Sequence, residues 1–489
     1  MKLVFKNARC AVIDLESRYF LKEPAELYVN GILHSTLCTS ASSISGLEPD
    51  TDYTFKVNGE SASFSTEKEE ATLNVRDFGA SGNGSSDDTV FIQAAIMACP
   101  EKGRVLIPSG SYRVTSLFLK SGLNIELEKG ATLKAETERF SHPILPGVIK
   151  SLNGAAHCLG SWEGAPNPMF AGVLNGFSVE NICIYGEGSI DGQASNGNWW
   201  REPKKMAGAF RPRLIYLHSC KNASIVGLTL KNSPSWTIHP IFSERVGIYA
   251  ISAENPADSP NTDGLDIESC KNVCVCGAKF DVGDDCIAVK SGRVPGARPS
   301  EDIKISACLM QNGHGAVTVG SEMSGGVKGL SVRRCFFKGT DRGLRVKTRR
   351  GRGGVIEDVL FQDIDMDGVL TPITANCFYF CDPDGESEYV QSRSPKPIDE
   401  GTPAIRTLAF KNITAEGAHF AAAYFIGLPE MKIEKVAMEN VKISFSPEAK
   451  PGRPVMHSGA PLMCRAGIFS LFVEEMELSN VEIAGQAER

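Results

Sequence analysis

Between Asn261 and Lys347, four short polar clusters interrupt a run of apolar, strand-like segments: Asn261-Thr262-Asp263, Gly283-Asp284-Asp285, Gly313-His314-Gly315 and Arg345-Val346-Lys347. Together they hold three carboxylates, an imidazole and two cations. The steps from Asp263 to Asp284, Asp285 to His314 and His314 to Arg345 are 21, 29 and 31 residues, each close to one turn of a repeating strand unit. Neighbouring strands lie ~4.8 Å apart, so clusters on successive coils would form one surface. Arg345 and Lys347 are two apart and would share a strand face. Carboxylates this close repel, and one is pushed toward its protonated form. That division suits glycoside hydrolysis, in which a carboxylic acid protonates the leaving oxygen while a carboxylate activates water. Arg345 and Lys347 suit a sugar carboxylate, and the glycines beside His314 would let its ring approach the sugar. Singly, Asn-Thr-Asp and Gly-Asp-Asp are also common turns, and the second is a calcium-site fragment as well. Their coincidence at one-coil spacing is what points to chemistry.

The elements that must position these clusters follow from a period in the twenties. An apolar strand phrase begins at Ile182, Ala223, Val246, Val273, Ile303, Leu330, Val359, Leu408, Val436 and Met476, with no helical pattern between. This predicts an all-β chain whose main domain, residues 69–489, is a right-handed parallel β-helix. Insertions at about 137–172, 192–212, 366–404 and 445–465 are predicted to rise from it as loops around a cleft; Trp199 and Trp200 could stack on a sugar ring there or plug the base of a loop. The segment Val90–Cys99 has helical periodicity, with Ile92, Ala95, Ile96 and Cys99 on one side, and is expected to cap the solenoid end, with Asp87 or Asp88 capping the helix.

Residues 1–68 differ. Alternating runs such as Glu26-Leu27-Tyr28-Val29 before Asn30-Gly31 predict a small antiparallel β-sandwich, with Ser65–Ala71 as the linker. Gly46-Leu-Glu-Pro-Asp-Thr-Asp-Tyr53 resembles the turn and strand of a fibronectin type III module, in which a tyrosine hydroxyl ties a corner between sheets. The shortness of the segment suggests that one or two strands are trimmed.

Composition narrows the function classes. Net charge is −7 with 22% charged residues, so a nucleic-acid partner, which needs a basic face, is not expected. No stretch has the ~20 apolar residues of a membrane span. Fifteen cysteines without paired C-x-x-C spacing read as buried thiols, so neither a metal nor a cofactor is expected. The first ten residues lack a signal-peptide apolar run, which favours the cytoplasm; a secreted or periplasmic protein with its leader removed is the alternative. Oligomeric state is not legible.

Asn261-Thr-Asp-Gly264, Gly283-Asp-Asp-Cys-Ile-Ala-Val-Lys-Ser-Gly292, Gly313-His-Gly-Ala-Val-Thr-Val-Gly-Ser321 and Gly343-Leu-Arg-Val-Lys-Thr348 resemble the four signature motifs of glycoside hydrolase family 28, the polygalacturonases. The likeness runs from about Val75 to the C-terminus and includes Asn232-Ser-Pro-Ser-Trp-Thr-Ile-His-Pro240. It implies hydrolysis of α-1,4-galacturonosidic linkages with inversion, Asp284 as general acid, Asp263 and Asp285 holding the water, and His314 supporting the acid. Arg345 and Lys347 would bind the galacturonate carboxylate, with Asn261 and Lys290 as further substrate contacts. Inversion predicts a gap of ~6.5–9.5 Å between acid and base carboxyls. Ser321-Glu-Met-Ser and Thr348-Arg-Arg-Gly-Arg352 are similar to the exo-acting bacterial branch, so Arg349, Arg350 and Arg352 are expected to grip the terminal sugar. The alternatives are a rhamnogalacturonan or xylogalacturonan hydrolase of the same family, a calcium-dependent pectate lyase with the three aspartates as ligands, or a non-catalytic carbohydrate-binding solenoid.

Overall fold

A computed structural model describes residues 1–487 except Ala155 and Asp382. From Thr72 onward the chain winds as a right-handed parallel β-helix, the hand favoured for parallel crossovers. Eleven strands, from Leu117–Phe118 to Ala466–Leu471, form one sheet, here the third of each coil. The other 23 form a first and a second sheet, joined because strands such as Val355–Asp367 and Ile433–Phe445 run through both. Ile182, Ala223, Val246, Val273, Ile303, Leu330, Val359, Leu408, Val436 and Met476 are direct register partners on ten successive coils. All except the half-buried Met476 of the last coil are essentially inaccessible to solvent. The repeating phrase is therefore one apolar column, and stacking it removes the interior side chains from water at ~25 cal/mol per Å².

Each coil bends from first to second sheet through one residue in the left-handed region. Gly227, Ala250, Gly277, Ala307, Arg334, Asp363, Asn412, Asn440 and Asn480 occupy this corner in turn, with φ between 49° and 75°. Where asparagine stands there, its amide also ties the coils: Asn440 donates to Asn412 at 3.1 Å and Asn480 to Asn440 at 2.9 Å.

The helix Thr89–Ala98 buries Ile92, Ala95 and Ile96 against the first coils, as its periodicity required. Of the two aspartates expected to cap it, Asp87 and not Asp88 takes the first helical N–H. Asp88 makes no side-chain cap; it is buried and accepts from the backbone N–H of Ser81 (2.6 Å) and Gly82 (3.1 Å), because those donors have no strand partner. Asp87 accepts from Thr89 N at 3.0 Å.

Residues 2–65 form seven strands in two antiparallel sheets. Lys2–Lys6, Cys10–Asp14 and Ala41–Ser45 make one; Ile32–Thr39, Phe20–Val29, Asp52–Val57 and Glu60–Ser65 make the other. No strand of this three-plus-four arrangement is trimmed. Economy comes from the two-residue hairpins Asn30-Gly31 (φ 49° and 81°) and Asn58-Gly59 (φ 48° and 85°), whose twist matches the strands they join. The Tyr53 hydroxyl accepts from Glu48 N at 2.9 Å. The module rests on the corner between the first and second sheets, where Cys10, Val12 and Ala41 meet Tyr185, Val226, Tyr249 and Cys276, and Arg334 pairs with Asp14 at 2.6 Å.

Among the described residues all fifteen cysteines are unpaired, and ten are buried. The insertion expected at 366–404 is shorter, since Thr371–Asn376 is a strand of the third sheet and the loop begins after it.

Candidate active site

The four clusters lie on consecutive coils at the edge of the third sheet. Asp263, the Asp284–Asp285 pair and His314 sit on the connections entering the strands Leu265–Glu268, Ile287–Lys290 and Val317–Gly320; Arg345 and Lys347 are on the next strand, Arg342–Lys347. Backbone pairing continues through these connections. Gly264 N donates to Asp285 O (3.0 Å), Cys286 N to Gly315 O (2.8 Å) and His314 N to Asp284 O (3.0 Å), so each functional residue is held at a fixed rung. The glycines serve this stacking. A Cβ on Gly313 would lie 2.5 Å from Asp284 O, and one on Gly315 2.3 Å from Thr318 Oγ1 and 2.9 Å from Asp285 Oδ1.

One carboxylate oxygen from each of Asp263, Asp284 and Asp285 lies within 4.8 Å of the others. The expected gap of ~6.5–9.5 Å is therefore corrected, and the cause is the fold: Asp284 and Asp285 are neighbours in sequence, and Asp263 is one coil away, at the strand spacing. The three carboxylates are the donor set that could hold a cation. Their electrostatics are divided. Asp285 is fully buried and bonded by Arg345 Nη1 and Lys347 Nζ, both at 2.8 Å; although burial opposes ionisation, Lys347 and Arg345 hold its carboxyl far below the usual range. Asp284 Oδ1 lies 3.3 Å from His314 Nδ1. Burial is the largest influence on Asp284 and works to raise it, but its hydrogen bond to His314 together with the charges of His314 and Lys347 brings it below the usual carboxylate value, and the same bond raises His314. Asp263 has no such help: its Oδ1 has no hydrogen-bond partner, and burial with the nearby Asp266 and Asp284 pushes it well above the carboxylate range. Like-charge crowding favours the protonated form of one carboxyl, and the group pushed that way is Asp263 rather than Asp284.

Asp263, Asp284, His314, Arg345 and Lys347 line a cavity of about 490 Å³, together with Asn261, Lys290, Trp236, Ser321, Glu322, Arg342 and Tyr379, and Asp285 is buried behind the two cations it binds. Lys290 reaches the wall but is already held, 3.1 Å from Glu322 and 3.4 Å from Asp266, with its ammonium 4.1 Å from the Trp236 ring centre. Burial drives Asp266 up to about 8. Glu322, despite burial, is kept at about 2 by Lys290 and Lys347.

Three expected contacts are elsewhere. Arg350 is buried and bonded to Glu430 (2.6 and 2.9 Å) and to the carbonyls of Tyr389 and Ser392; its guanidinium anchors the 377–403 loop. Arg349 pairs with Asp384 at 2.7 Å, and Arg352 reaches Arg293 O at 3.5 Å. None of the three lines the cavity, because the chain after Lys347 turns away from the sheet face into that loop. Trp199 and Trp200 are buried with Phe170, Ala194 and Ala209 and plug a loop base.

A family model, glycosyl hydrolases family 28, matches residues 101–456. The chain belongs to glycosyl hydrolase family 28. It is 29% identical over 386 residues to a probable polygalacturonase of Vitis vinifera, covering 76% of this chain and 74% of that relative. It is similar to the hyperthermoactive exopolygalacturonase of Thermotoga maritima, with TM-score 0.68, 27% identity, and coverage of 85% and 92%. The family 28 exopolygalacturonase of Yersinia enterocolitica shares the fold over the whole chain, with TM-score 0.66, 18% identity, and coverage of 100% and 98%. As a family member the protein is a glycosidase.

Several cavity residues carried no spacing signal. Arg342 begins the Arg345 strand, and Trp236 and Glu322 lie inside quoted motifs, so a register argument could have reached them. Glu163, Lys204, Tyr379 and Met456 come from insertions, which have no register with the repeat.

Proposed function

We propose that the protein hydrolyses the α-1,4 linkage between galacturonate residues of polygalacturonate, acting from the chain end and inverting the anomeric centre. The observation that carries this reading is the convergence of Asp263, Asp284 and His314 on one cavity that also holds Arg345 and Lys347, with the Asp285 carboxylate directly beside those of Asp263 and Asp284. Asp285 with its two cations has a net positive charge, which suits a sugar carboxylate. Asp284 is the proton donor, and the Asp284–His314 pair carries the proton between them; an anionic sugar arriving beside Asp284 favours its return from the imidazolium to the carboxyl. Asp263 and Asp285 hold the attacking water. A water held by two carboxylates on one side of the donor needs no wide gap between a single acid and a single base.

One observation favours a second assignment: Asp263 Oδ1 is buried with no hydrogen-bond partner and its carboxyl is pushed toward the protonated form, which would make Asp263 the donor and Asp284 the base. Substrates with activated leaving groups separate the two. A variant lacking the donor keeps activity on them, because departure needs no proton, whereas a variant lacking the base does not.

Chain-end action is supported by the four insertions, which contribute Glu163, Lys204, Tyr379, Cys381 and Met456 to the cavity wall, and by the likeness to the Thermotoga enzyme. Size-resolved products from polygalacturonate test it. Monomer or dimer from the first time point is expected, and early mid-length oligomers would refute it. Activity that disappears with chelator, with an unsaturated product, would mean a calcium-dependent lyase instead. The N-terminal module is read as fibronectin type III-like, supported by its three-plus-four strand order and the Tyr53 corner, with a packing role. Deleting it should expose Tyr185 and Tyr249 and reduce solubility while leaving KM unchanged; a changed KM would contradict that role.

A further inference from the structure

Behind the end of the cavity formed by Asn261 lies a cation that the polygalacturonase reading does not use. Arg211, on the 192–212 insertion, is 2% exposed. Its guanidinium donates to the carbonyls of Pro203 (3.1 Å), Pro234 (2.7 Å) and Pro260 (2.8 Å), and to Asn261 Oδ1 (2.7 Å). Among the described residues no carboxylate lies within ion-pair distance of it. A buried, uncompensated charge is expensive, and burial with the nearby Arg213 pulls Arg211 down to about 9. Four neutral oxygens solvate it without neutralising it.

The consequence falls on Asn261. A guanidinium has no acceptor, so the atom facing Arg211 must be the amide oxygen. The Asn261 Nδ2 is thereby left as the free end. It makes no hydrogen bond among the described residues, and Asn261 lines the cavity beside Asp263. A hydrogen bond from a cation to the amide oxygen polarises the amide and strengthens its N–H groups as donors. The Asn261 backbone is left-handed, with φ 54°, a conformation that asparagine and aspartate tolerate better than other side chains.

We infer that Arg211 and Asn261 work as one anion-reading unit: Arg211 fixes and polarises the Asn261 amide so that its N–H groups bind a carboxylate oxygen of the uronate sugar lying against Asp263. This rests on the galacturonate reading above. Asn261 is the contact and Arg211 the positioning residue. The unit would provide, at the insertion end of the cavity, a second carboxylate site separate from Arg345 and Lys347, so that sugars on both sides of the bond are read as acids.

Asn261→Asp tests this, because it moves stability and binding in opposite directions. The new carboxylate gives Arg211 the partner it lacks and keeps a residue that accepts φ 54°, so thermal stability rises. It also replaces the donor with an acceptor facing an anion, so KM for trigalacturonate rises about tenfold or more, with kcat changed less. Arg211→Lys, which cannot hold four acceptors in a plane, raises KM in the folded fraction; a merely structural role would reduce the folded fraction and leave KM unchanged. The inference is overturned if either variant, folded, keeps the wild-type KM, or if Asn261→Asp lowers the melting temperature. Wild-type protein that fails to cleave trigalacturonate or polygalacturonate would instead overturn the galacturonate reading.

Discussion

The first sheet and the third sheet of this β-helix handle charge in opposite ways. On the outer face of the first sheet, Glu180, Lys221, Glu244, Lys271, Glu301, Lys328 and Glu357 are direct register partners, so the sign alternates on each of seven coils. Lys271 meets Glu301 at 3.2 Å and Lys328 meets Glu357 at 3.1 Å. On the third sheet the same rung spacing brings Asp263 next to Asp284 and Asp285, and Arg345 stands two residues from Lys347 on one strand. The fold can neutralise charge rung by rung, and it does so where the side chains face water. In the cavity it does so only in part: Asp285 is paired with Arg345 and Lys347, whereas the buried Asp263 lies beside Asp284 with its Oδ1 unpartnered. Like charges gathered at a rung spacing that could have separated them mark the working surface.

Breaking the third-sheet cluster should give the largest effects. Asp284→Asn and Asp263→Asn each remove a proton-transfer or water-holding group and should lower kcat by about 10²–10⁴-fold with the fold intact, measured on polygalacturonate by reducing-end release. Lys347→Met leaves Asp285 buried with Arg345 alone and should cost about 3 kcal/mol in unfolding experiments at neutral pH, with a raised KM. The sign with pH follows from the depressed value of Asp285. Its ion-pair stabilisation is present above the unfolded carboxylate value of ~3.9 and is lost as pH falls through the folded value. The gap between wild type and Lys347→Met should therefore be full at pH 7 and narrow below about pH 4.

The contrast sharpens with residues that only build. Ile303→Ala opens a cavity in the apolar column and should cost about 2–5 kcal/mol while leaving KM unchanged. Lys271→Ala, on the exposed ladder, should change stability by less than about 1 kcal/mol and leave activity alone. A large loss of activity from Lys271→Ala would blur the distinction between the two faces.

The column from Ile182 to Met476 was legible because its signal is a repeat, and register in a parallel solenoid follows directly from period. The rungs of the candidate site were legible for the same reason, since Asp263, Asp284 and His314 recur one coil apart. Which carboxyl is pushed toward its protonated form was not legible. It depends on which carboxylate has a donor, and sequence spacing does not reveal that His314 reaches Asp284 while Asp263 Oδ1 reaches nothing. The Arg349, Arg350 and Arg352 run misled because charge density says nothing of direction: the chain leaves the sheet after Lys347, and Arg350 finds Glu430 80 residues on. The cavity residues on insertions were hidden because loops have no period. Arg211 was hidden as well, since its use is visible only through the oxygens that surround it.

The central claim, that this cluster hydrolyses an α-galacturonosidic bond with inversion, is tested most directly by following wild-type cleavage of polygalacturonate by proton NMR before mutarotation. The account predicts that the first product is a short saturated galacturonide whose new reducing end is β. A first product with an α reducing end, or an unsaturated one, would contradict it.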